Sequence, residues 1–254
     1  MKSLNLKQSV EVFHLIFLDH LARKLDKQKW ALKGGCNLRF FFRSPRYSDD
    51  MDLDVQSVAV DILRKKVNSI LAGKPFKTIL DVRAISIEHV TEHKQTEMTQ
   101  RWKLGLMLPG LDEPVPTKIE FSRRGLEAGS VFEPVSPEIV RLYELPPIMA
   151  NHYPASIAWR HKIAAIRSRA ASQARDVFDL YLLLQSGSIS AALAGQEKRD
   201  LAQIRENILA VDFAQFKSQV LSYLEPDLQP HYDSEETWDA MRWRIVEALG
   251  EGSP

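Results

Sequence analysis

The chain has 254 residues, with 34 Lys and Arg against 33 Asp and Glu, and a formal net charge of +1. Its composition of 44% hydrophobic and 26% charged residues is ordinary for a globular protein, and no apolar run approaches the length of a membrane span. The single cysteine, Cys36, excludes an intramolecular disulfide and a cysteine-based zinc site, so we expect a cytoplasmic protein with no membrane partner.

The charge is unevenly distributed along the chain. Residues 191–254 contain six basic residues against twelve acidic ones. Residues 27–48 contain six basic residues and residues 151–175 contain five, in both cases without an acid. Clustered positive charge suits a polyanionic partner. Solvated helix faces explain the same pattern equally well, so charge alone leaves both interpretations open.

The first part of the chain predicts two helices that flank a short apolar segment. Apolar residues at spacings of three and four predict an amphipathic helix over residues 8–26. Residues 30–32 indicate a short strand or helix end. Gly34 and Gly35 then precede a helix that we place over residues 36–42. Such a glycine turn would offer free backbone N–H groups to a phosphate.

Residues 46–55 carry the strongest chemical signal. Asp50, Asp52 and Asp54 alternate with apolar residues at the period of two that is typical of a strand. Their carboxylates would share one face, where mutual repulsion favours a bound cation. Mg²⁺, or Mn²⁺ in its place, is the expected ion, because it binds carboxylates together with substrate phosphates. We predict Asp50 and Asp52 as metal ligands; an acidic strand end that only aids solubility is the alternative.

The middle of the chain predicts one helix and three strands. The helical period returns over residues 58–71. Residues 76–108 alternate in a way that predicts two antiparallel strands. Residues 117–122 predict a further strand, with Lys118 and Glu120 on the same face.

The last part of the chain is predominantly helical. Residues 136–138, Ser-Pro-Glu, form a helix-start pattern. We place a boundary or hinge within residues 125–150 and predict two domains, 1–135 and 136–254. Further helices are predicted over residues 156–169, 175–184, 199–209, 212–224 and 235–249.

Two blocks of the sequence together resemble a known family. The first block contains Gly34-Gly35, Leu38-Arg39 and RYSDDMDLD over residues 46–54; the second contains Lys162, Ala165, Arg167 and RDVFDL over residues 175–180. In this order they are similar to the AbiEii/AbiGii nucleotidyltransferase toxins, which are type IV toxins and abortive-infection proteins of the DNA polymerase β superfamily. The resemblance implies an α+β fold, in which a polymerase β-like nucleotidyltransferase mixed sheet with helices is followed by a helical C-terminal domain that closes the active-site cleft.

The resemblance also implies further site residues. A third metal-binding carboxylate is expected from a later strand of the same sheet, and Glu120 fits this position. Lys162 would contact the nucleotide phosphates, and Asp176 would complete the site, with Asp179 in reserve. Each has an ordinary alternative: Glu120 as an exposed strand residue, Lys162 as a solvated charge, and Asp176 as an acid favoured by the helix dipole.

Nucleotide contacts are predicted around the glycine pair. Gly34 and Gly35 would let the backbone approach the triphosphate. Lys33 and Arg39 are candidate charge partners, although surface charges explain them equally well. Ser48 would bind a phosphate or cap a turn, and neither interpretation is favoured.

The expected activity is the Mg²⁺-dependent transfer of a nucleoside monophosphate from an NTP to an acceptor hydroxyl. By resemblance the acceptor is RNA, namely a tRNA 3′ end, the outcome is growth arrest or phage defence, and a separately encoded antitoxin is the protein partner. One alternative is an acceptor hydroxyl on a protein or a small molecule. Another is a catalytically inactive nucleotide- or RNA-binding module, since Cys36 replaces the hydroxyl residue usual in related enzymes.

Overall fold

The computed structural model describes residues 4–169, 171–187 and 198–250. Within these residues the chain divides into two compact units. The first unit contains the described residues up to Phe41 together with Tyr47–Tyr153. The second contains Phe42–Arg46 and the described residues from Pro154 onwards. No helix in these ranges combines the length and the apolar character needed to cross a membrane.

The first unit is built on a mixed sheet, which has seven strands in the described part of the chain. These are β1 (Trp30–Lys33), β2 (Asp50–Val55), β3 (Ser86–Gln95), β4 (Thr99–Met107), β5 (Val115–Ser122), β6 (Val131–Pro134) and β7 (Met149–His152). Their order across the sheet is β3-β4-β5-β2-β1-β7-β6. β2 runs parallel to β5 and antiparallel to β1. This mixed sheet with its helices confirms the predicted α+β class.

Helices of the first unit cover the sheet and form much of its core. They are α1 (Leu6–Lys24), α2 (Gly34–Phe42), α3 (Val60–Leu71), α4 (Lys74–Asp81) and α5 (Pro137–Leu142). α1 begins with a capping box, in which Asn5 and Gln8 exchange side-chain to backbone hydrogen bonds. Phe13 and Phe17 of α1 pack edge-on against Phe76 of α4.

The predicted strand over the start of residues 76–108 is wrong, because residues 76–81 belong to α4. Phe76 and Leu80 lie four residues apart and are both buried, which is the spacing of one helix face. The two antiparallel strands predicted from the remainder of this range are confirmed as β3 and β4.

The second unit is helical. It contains α6 (Ala155–Ser168), α7 (Ala174–Gln185), α8 (Lys198–Leu209), α9 (Phe213–Gln219), α10 (Gln229–Tyr232) and α11 (Glu235–Ala248). Aromatic rings form its centre: Phe216 of α9 lies 6.0 Å from Phe178 of α7 and stacks at 4.5 Å on Trp238 of α11. The unit begins later than the predicted boundary at 135/136, since the residues after that point return to the first unit as α5 and β7.

Three polar side chains are buried beneath the start of β2. His14 on α1, Cys36 on α2 and Thr117 on β5 are at most 4% exposed. Thr117 donates its hydroxyl hydrogen to the carbonyl of Asp49 at 2.7 Å, and its Oγ1 lies 2.8 Å from His14 Nε2. Because the hydroxyl has a single hydrogen, Nε2 is the protonated ring nitrogen. Burial lowers the pKa of His14 to about 3, so this imidazole is neutral at physiological pH.

Replacing His14 with Gln should remove part of the acid sensitivity of the fold. The unfolded imidazole binds a proton below about pH 6.5, whereas the folded one stays neutral to about pH 3. The unfolded state therefore binds more protons than the folded state between these two pH values. Because of this difference, the free energy of unfolding falls as the pH falls, by up to about 1.4 kcal/mol per pH unit. Denaturant titrations of wild type and His14→Gln between about pH 8 and about pH 4 measure this difference. A difference in unfolding free energy that is constant over the range would contradict the assignment.

Candidate active site

The parallel pairing of β2 with β5 gathers the three predicted metal ligands. Asp50 is in register with Lys118, and Asp52 with Glu120, so these side chains share one face of the sheet. Lys118 Nζ lies 3.1 Å from Asp50 Oδ2, 3.7 Å from Glu120 Oε2 and 4.0 Å from Asp52 Oδ1. Three carboxylates thus surround one ammonium group.

The ionisation of this cluster reflects competition between burial and neighbouring charge. Burial raises the pKa of Asp52, and the negative charges of Asp50 and Glu120 raise it further. The positive charge of Lys118 lowers the same pKa, but not enough to cancel the rise. Burial also disfavours the charged form of Glu120, but Arg101 and Lys118 outweigh it and hold the pKa of that carboxyl below its usual range. Burial would lower the pKa of Lys118, yet Asp52 and Asp50 outweigh it and raise that pKa. Positive charge is therefore favoured at this site.

Two basic residues of the cluster had no role in the sequence predictions. From the sequence, Lys118 was expected on the same strand face as Glu120, two residues away. That spacing could have indicated that Lys118 belongs to the site. Arg101 was missed. Its Nε lies 2.6 Å from Glu120 Oε2, because Arg101 and Glu120 are opposite each other in the antiparallel β4–β5 pair. That register is a long-range property, and no local pattern around residue 101 indicates it.

The donor chemistry of the cluster fits a hard divalent cation. Asp50, Asp52 and Glu120 supply carboxylate oxygens, which Mg²⁺ and Mn²⁺ prefer. No group of three acidic, His or Cys side chains among the described residues is already assembled as a metal site. The ammonium of Lys118 lies among the carboxylates instead and supplies the positive charge there.

The glycine pair lies directly against this cluster. α2 begins at Gly34, two residues earlier than predicted, and Gly34 and Gly35 form its first turn. The N–H groups of a first turn have no partner within the helix. Gly34 has a φ of +68°, and a Cβ atom on it would lie 3.2 Å from Asp52 Oδ2. Glycine is needed here both for its backbone conformation and for its close approach to Asp52.

Lys33 and Ser48, two of the predicted nucleotide contacts, already bind groups of the first unit. Lys33 pairs with Asp54, which also accepts a hydrogen bond from the Tyr153 hydroxyl at 2.9 Å. Asp54 is only 7% exposed and is absent from the contacts around Lys118. Ser48 donates to the carbonyl of Asp50 at 2.9 Å, as its alternative interpretation as a turn cap predicts.

Arg39, the third predicted charge partner, is internal. Its side chain is 5% exposed, and its Nε lies 2.6 Å from Glu11 Oε1, itself also buried. The Tyr143 hydroxyl donates to the same carboxylate, and the Arg39 guanidinium lies over the ring of Tyr47. This placement contradicts the surface-charge alternative and favours a structural ion pair over a nucleotide contact.

The second sequence block forms a buried ion network in the second unit. Lys162 Nζ lies 2.9 Å from Asp176 Oδ1 and 2.6 Å from Asp179 Oδ2. Arg46 binds both oxygens of Asp179, and Arg169 pairs with Asp176. The alternative of a solvated charge at Lys162 is wrong, because this side chain is only 11% exposed.

Charge compensation keeps Lys162 and Asp176 ionised despite their burial. Burial would lower the pKa of Lys162, but Asp179 and Asp176 outweigh it and raise that pKa. Burial would raise the pKa of Asp176, but Lys162 outweighs it and lowers that pKa. Asp176 does lie in the first turn of α7, as its alternative interpretation requires. Contact of Lys162 with nucleotide phosphates stays a prediction.

A surface cavity of the first unit lies at the other end of β2. It has a volume of about 490 Å³, and its lining includes Lys27, Gln56, Phe132 and Asn151. Gln56 follows the last residue of β2, whereas Asp50 is the first. The cavity therefore does not contain the carboxylate cluster.

A strand with two carboxylates, a parallel neighbour with a third and an adjoining glycine helix start suit metal-assisted phosphoryl transfer, the chemistry of the nucleotidyltransferase class. The chain belongs to the nucleotidyl transferase AbiEii toxin family of type IV toxin–antitoxin systems, whose family model matches residues 16–249. It is therefore a nucleotidyltransferase, and its family implies an antitoxin partner. No curated protein matches the sequence significantly.

Solved structures share this fold at low sequence identity. JHP933 from Helicobacter pylori has a TM-score of 0.62 and 17% identity, over 98% of this chain and 96% of that one. MenT4, a nucleotidyltransferase toxin from Mycobacterium tuberculosis, has a TM-score of 0.67 and 18% identity, over 97% of this chain and 86% of that one. At such identities the likeness establishes the fold alone.

Gly34→Ala should impair the site more than it impairs the fold. Alanine at this position must keep a left-handed backbone conformation, which costs about 1–2 kcal/mol. Its Cβ would also lie 3.2 Å from Asp52 Oδ2, closer than an ordinary van der Waals contact. Gly110→Ala is the matched control, because Gly110 has a φ of +78° and no atom within 4 Å of an added Cβ. Thermal denaturation should show that both variants are destabilised to a similar extent. A nucleotidyl-transfer assay should show that only Gly34→Ala loses activity. Equal activity in the two variants would contradict the proposed contact with Asp52.

Lys162→Met should destabilise the protein strongly. It leaves Asp176 and Asp179 with one fewer buried cation, a change that costs about 3–5 kcal/mol in buried pairs. Asp50→Asn changes a side chain that is 40% exposed and should leave the unfolding free energy nearly unchanged. Denaturant titration of the two variants tests this contrast, and a Lys162→Met protein as stable as wild type would rule out a structural role.

Proposed function

We propose that this protein is a toxin that transfers a nucleoside monophosphate from an NTP to an RNA hydroxyl in the cytoplasm, using Mg²⁺ held by Asp50, Asp52 and Glu120. The observation that carries the proposal is the set of three carboxylates around Lys118, beside the glycine turn of α2. Lys118 and Arg101 offset two of the three carboxylate charges, and the remaining negative charge suits a divalent cation.

The residues of the cluster would divide the work as follows. Asp50, Asp52 and Glu120 would hold the cation, which when bound supplies charge neutralisation at the phosphates and activates the attacking hydroxyl. Gly34 and Gly35 would present backbone N–H groups to the triphosphate. Lys118 would balance the carboxylates until the cation takes its place beside Asp50. The acceptor hydroxyl would lose its proton to solvent, its oxygen would form a bond to the α-phosphorus, and the bond from that phosphorus to the pyrophosphate oxygen would break.

RNA is the acceptor that we favour, with a tRNA 3′ end as the first candidate. The resemblance to the family supports this choice. Growth arrest or phage defence would follow from modified RNA that no longer serves translation. A protein or small-molecule hydroxyl is the second candidate acceptor.

Labelled NTPs, Mg²⁺ and total cellular RNA provide the direct test. Wild type should label RNA and release pyrophosphate, whereas Asp50→Asn and Asp52→Asn should each lose about 100-fold or more in rate, because each loses a metal ligand. Asp61→Asn is a matched control, since Asp61 is 66% exposed, lies on α3 and pairs with Lys65 outside the carboxylate cluster.

Three results would contradict parts of this proposal. Label that enters protein while RNA stays unlabelled would replace the RNA acceptor with a protein one. Activity in Asp50→Asn and Asp52→Asn that equals Asp61→Asn would refute the metal assignment. Chelation of divalent cations without loss of transfer would refute the dependence on Mg²⁺.

A further inference from the structure

Side-chain hydrogen bonds hold the backbone on both sides of the Asp50 α-carbon. The carbonyl of Asp49 accepts from the Thr117 hydroxyl at 2.7 Å. The carbonyl of Asp50 accepts from the Cys36 thiol at 3.2 Å and from the Ser48 hydroxyl at 2.9 Å. Peptide groups are planar, so fixing the carbonyl on each side of an α-carbon fixes its two dihedral angles. These angles set the direction in which the Asp50 carboxylate leaves the strand.

The buried side chains behind these hydrogen bonds come from three different elements of the first unit. His14 is 1% exposed on α1, Cys36 is 2% exposed on α2, and Thr117 is 4% exposed on β5. His14 Nε2 donates to Thr117 Oγ1 at 2.8 Å, which leaves the hydroxyl hydrogen for Asp49. His14 Nδ1 is an acceptor and lies 3.6 Å from Cys36 Sγ, so Nδ1 and the nearer Asp50 carbonyl are alternative acceptors for the single thiol hydrogen. One imidazole thus contacts both Thr117 and Cys36.

We propose that His14, Cys36 and Thr117, here termed the β2 anchor, are positioning residues that fix the Asp50 carboxylate for binding of a divalent cation. They act through the backbone, because their hydrogen bonds go to main-chain carbonyls and to each other. The proposal rests on the metal-dependent function above and adds a buried layer of residues to it. The same layer gives Cys36 a role as a donor to β2, where a phosphate contact was expected from related enzymes.

Metal affinity can be measured without catalysis by titrating Mn²⁺ alone into the 254-residue chain and following the free ion by electron paramagnetic resonance. Thr117→Val keeps the shape of the side chain and removes its hydroxyl, so the dissociation constant should rise by about tenfold, as for other residues that orient metal ligands. Thr117→Ser keeps the hydroxyl and should restore an affinity close to that of wild type. His14→Leu removes the donor to Thr117 and should weaken Mn²⁺ binding in the same direction.

Trp102→Phe is the control for general destabilisation. Trp102 is fully buried on β4 of the same sheet, and its Nε1 donates to Asn68 at 2.9 Å. This variant should lower the thermal midpoint and leave the Mn²⁺ dissociation constant unchanged.

The possible results distinguish failure of the positioning role from failure of the proposed function. If folded Thr117→Val and His14→Leu bind Mn²⁺ with wild-type affinity, only the positioning role is overturned. The same holds if Trp102→Phe weakens Mn²⁺ binding as much as these variants do. A wild-type protein that binds no Mn²⁺ would overturn both the metal site and the β2 anchor. Weakened binding in Thr117→Val with recovery in Thr117→Ser supports the proposal.

Discussion

The parallel register between β2 and β5 is the constraint on which the candidate site depends. It places Glu120 beside Asp52 and Lys118 beside Asp50, and so concentrates three negative charges on one face of the sheet. Such a face is stable only with compensating positive charge. Lys118 supplies it from the same strand as Glu120, and Arg101 supplies it from the next strand. Slippage of this register by one residue would turn the β5 side chains to the other face and dissolve the cluster.

Much of the chemistry could be predicted from local sequence, because it follows the period of a strand. The alternation of Asp50 and Asp52 with apolar residues indicated a shared carboxylate face, and the structure places both side chains near Lys118. Glu120 was assigned from the resemblance to the family together with a predicted strand, and it lies in register with Asp52. The helical second part was predictable for the same reason, since a period of 3.6 residues is a local signal, whereas the α+β class followed from the resemblance to the family.

Properties that depend on distant partners could not be predicted. The basic segment 27–48 contains Arg39, and the segment 151–175 contains Lys162, yet both side chains are buried in ion pairs. Their partners Glu11 and Asp179 lie elsewhere in the sequence, and nothing local distinguishes a buried arginine or lysine from a solvated one. The same limit applies to the β2 anchor, whose histidine lies 103 residues from the threonine that it contacts.

A crystal structure of the 254-residue chain with Mn²⁺ and a non-hydrolysable NTP analogue would locate the metal directly. We expect an anomalous peak about 2.1 Å from oxygens of Asp50 and Asp52, with the triphosphate near the first turn of α2. Lys118 should then no longer lie 3.1 Å from Asp50, because the metal takes its place. A peak elsewhere, or no peak while Lys118 keeps its contact with Asp50, would contradict the proposed metal site.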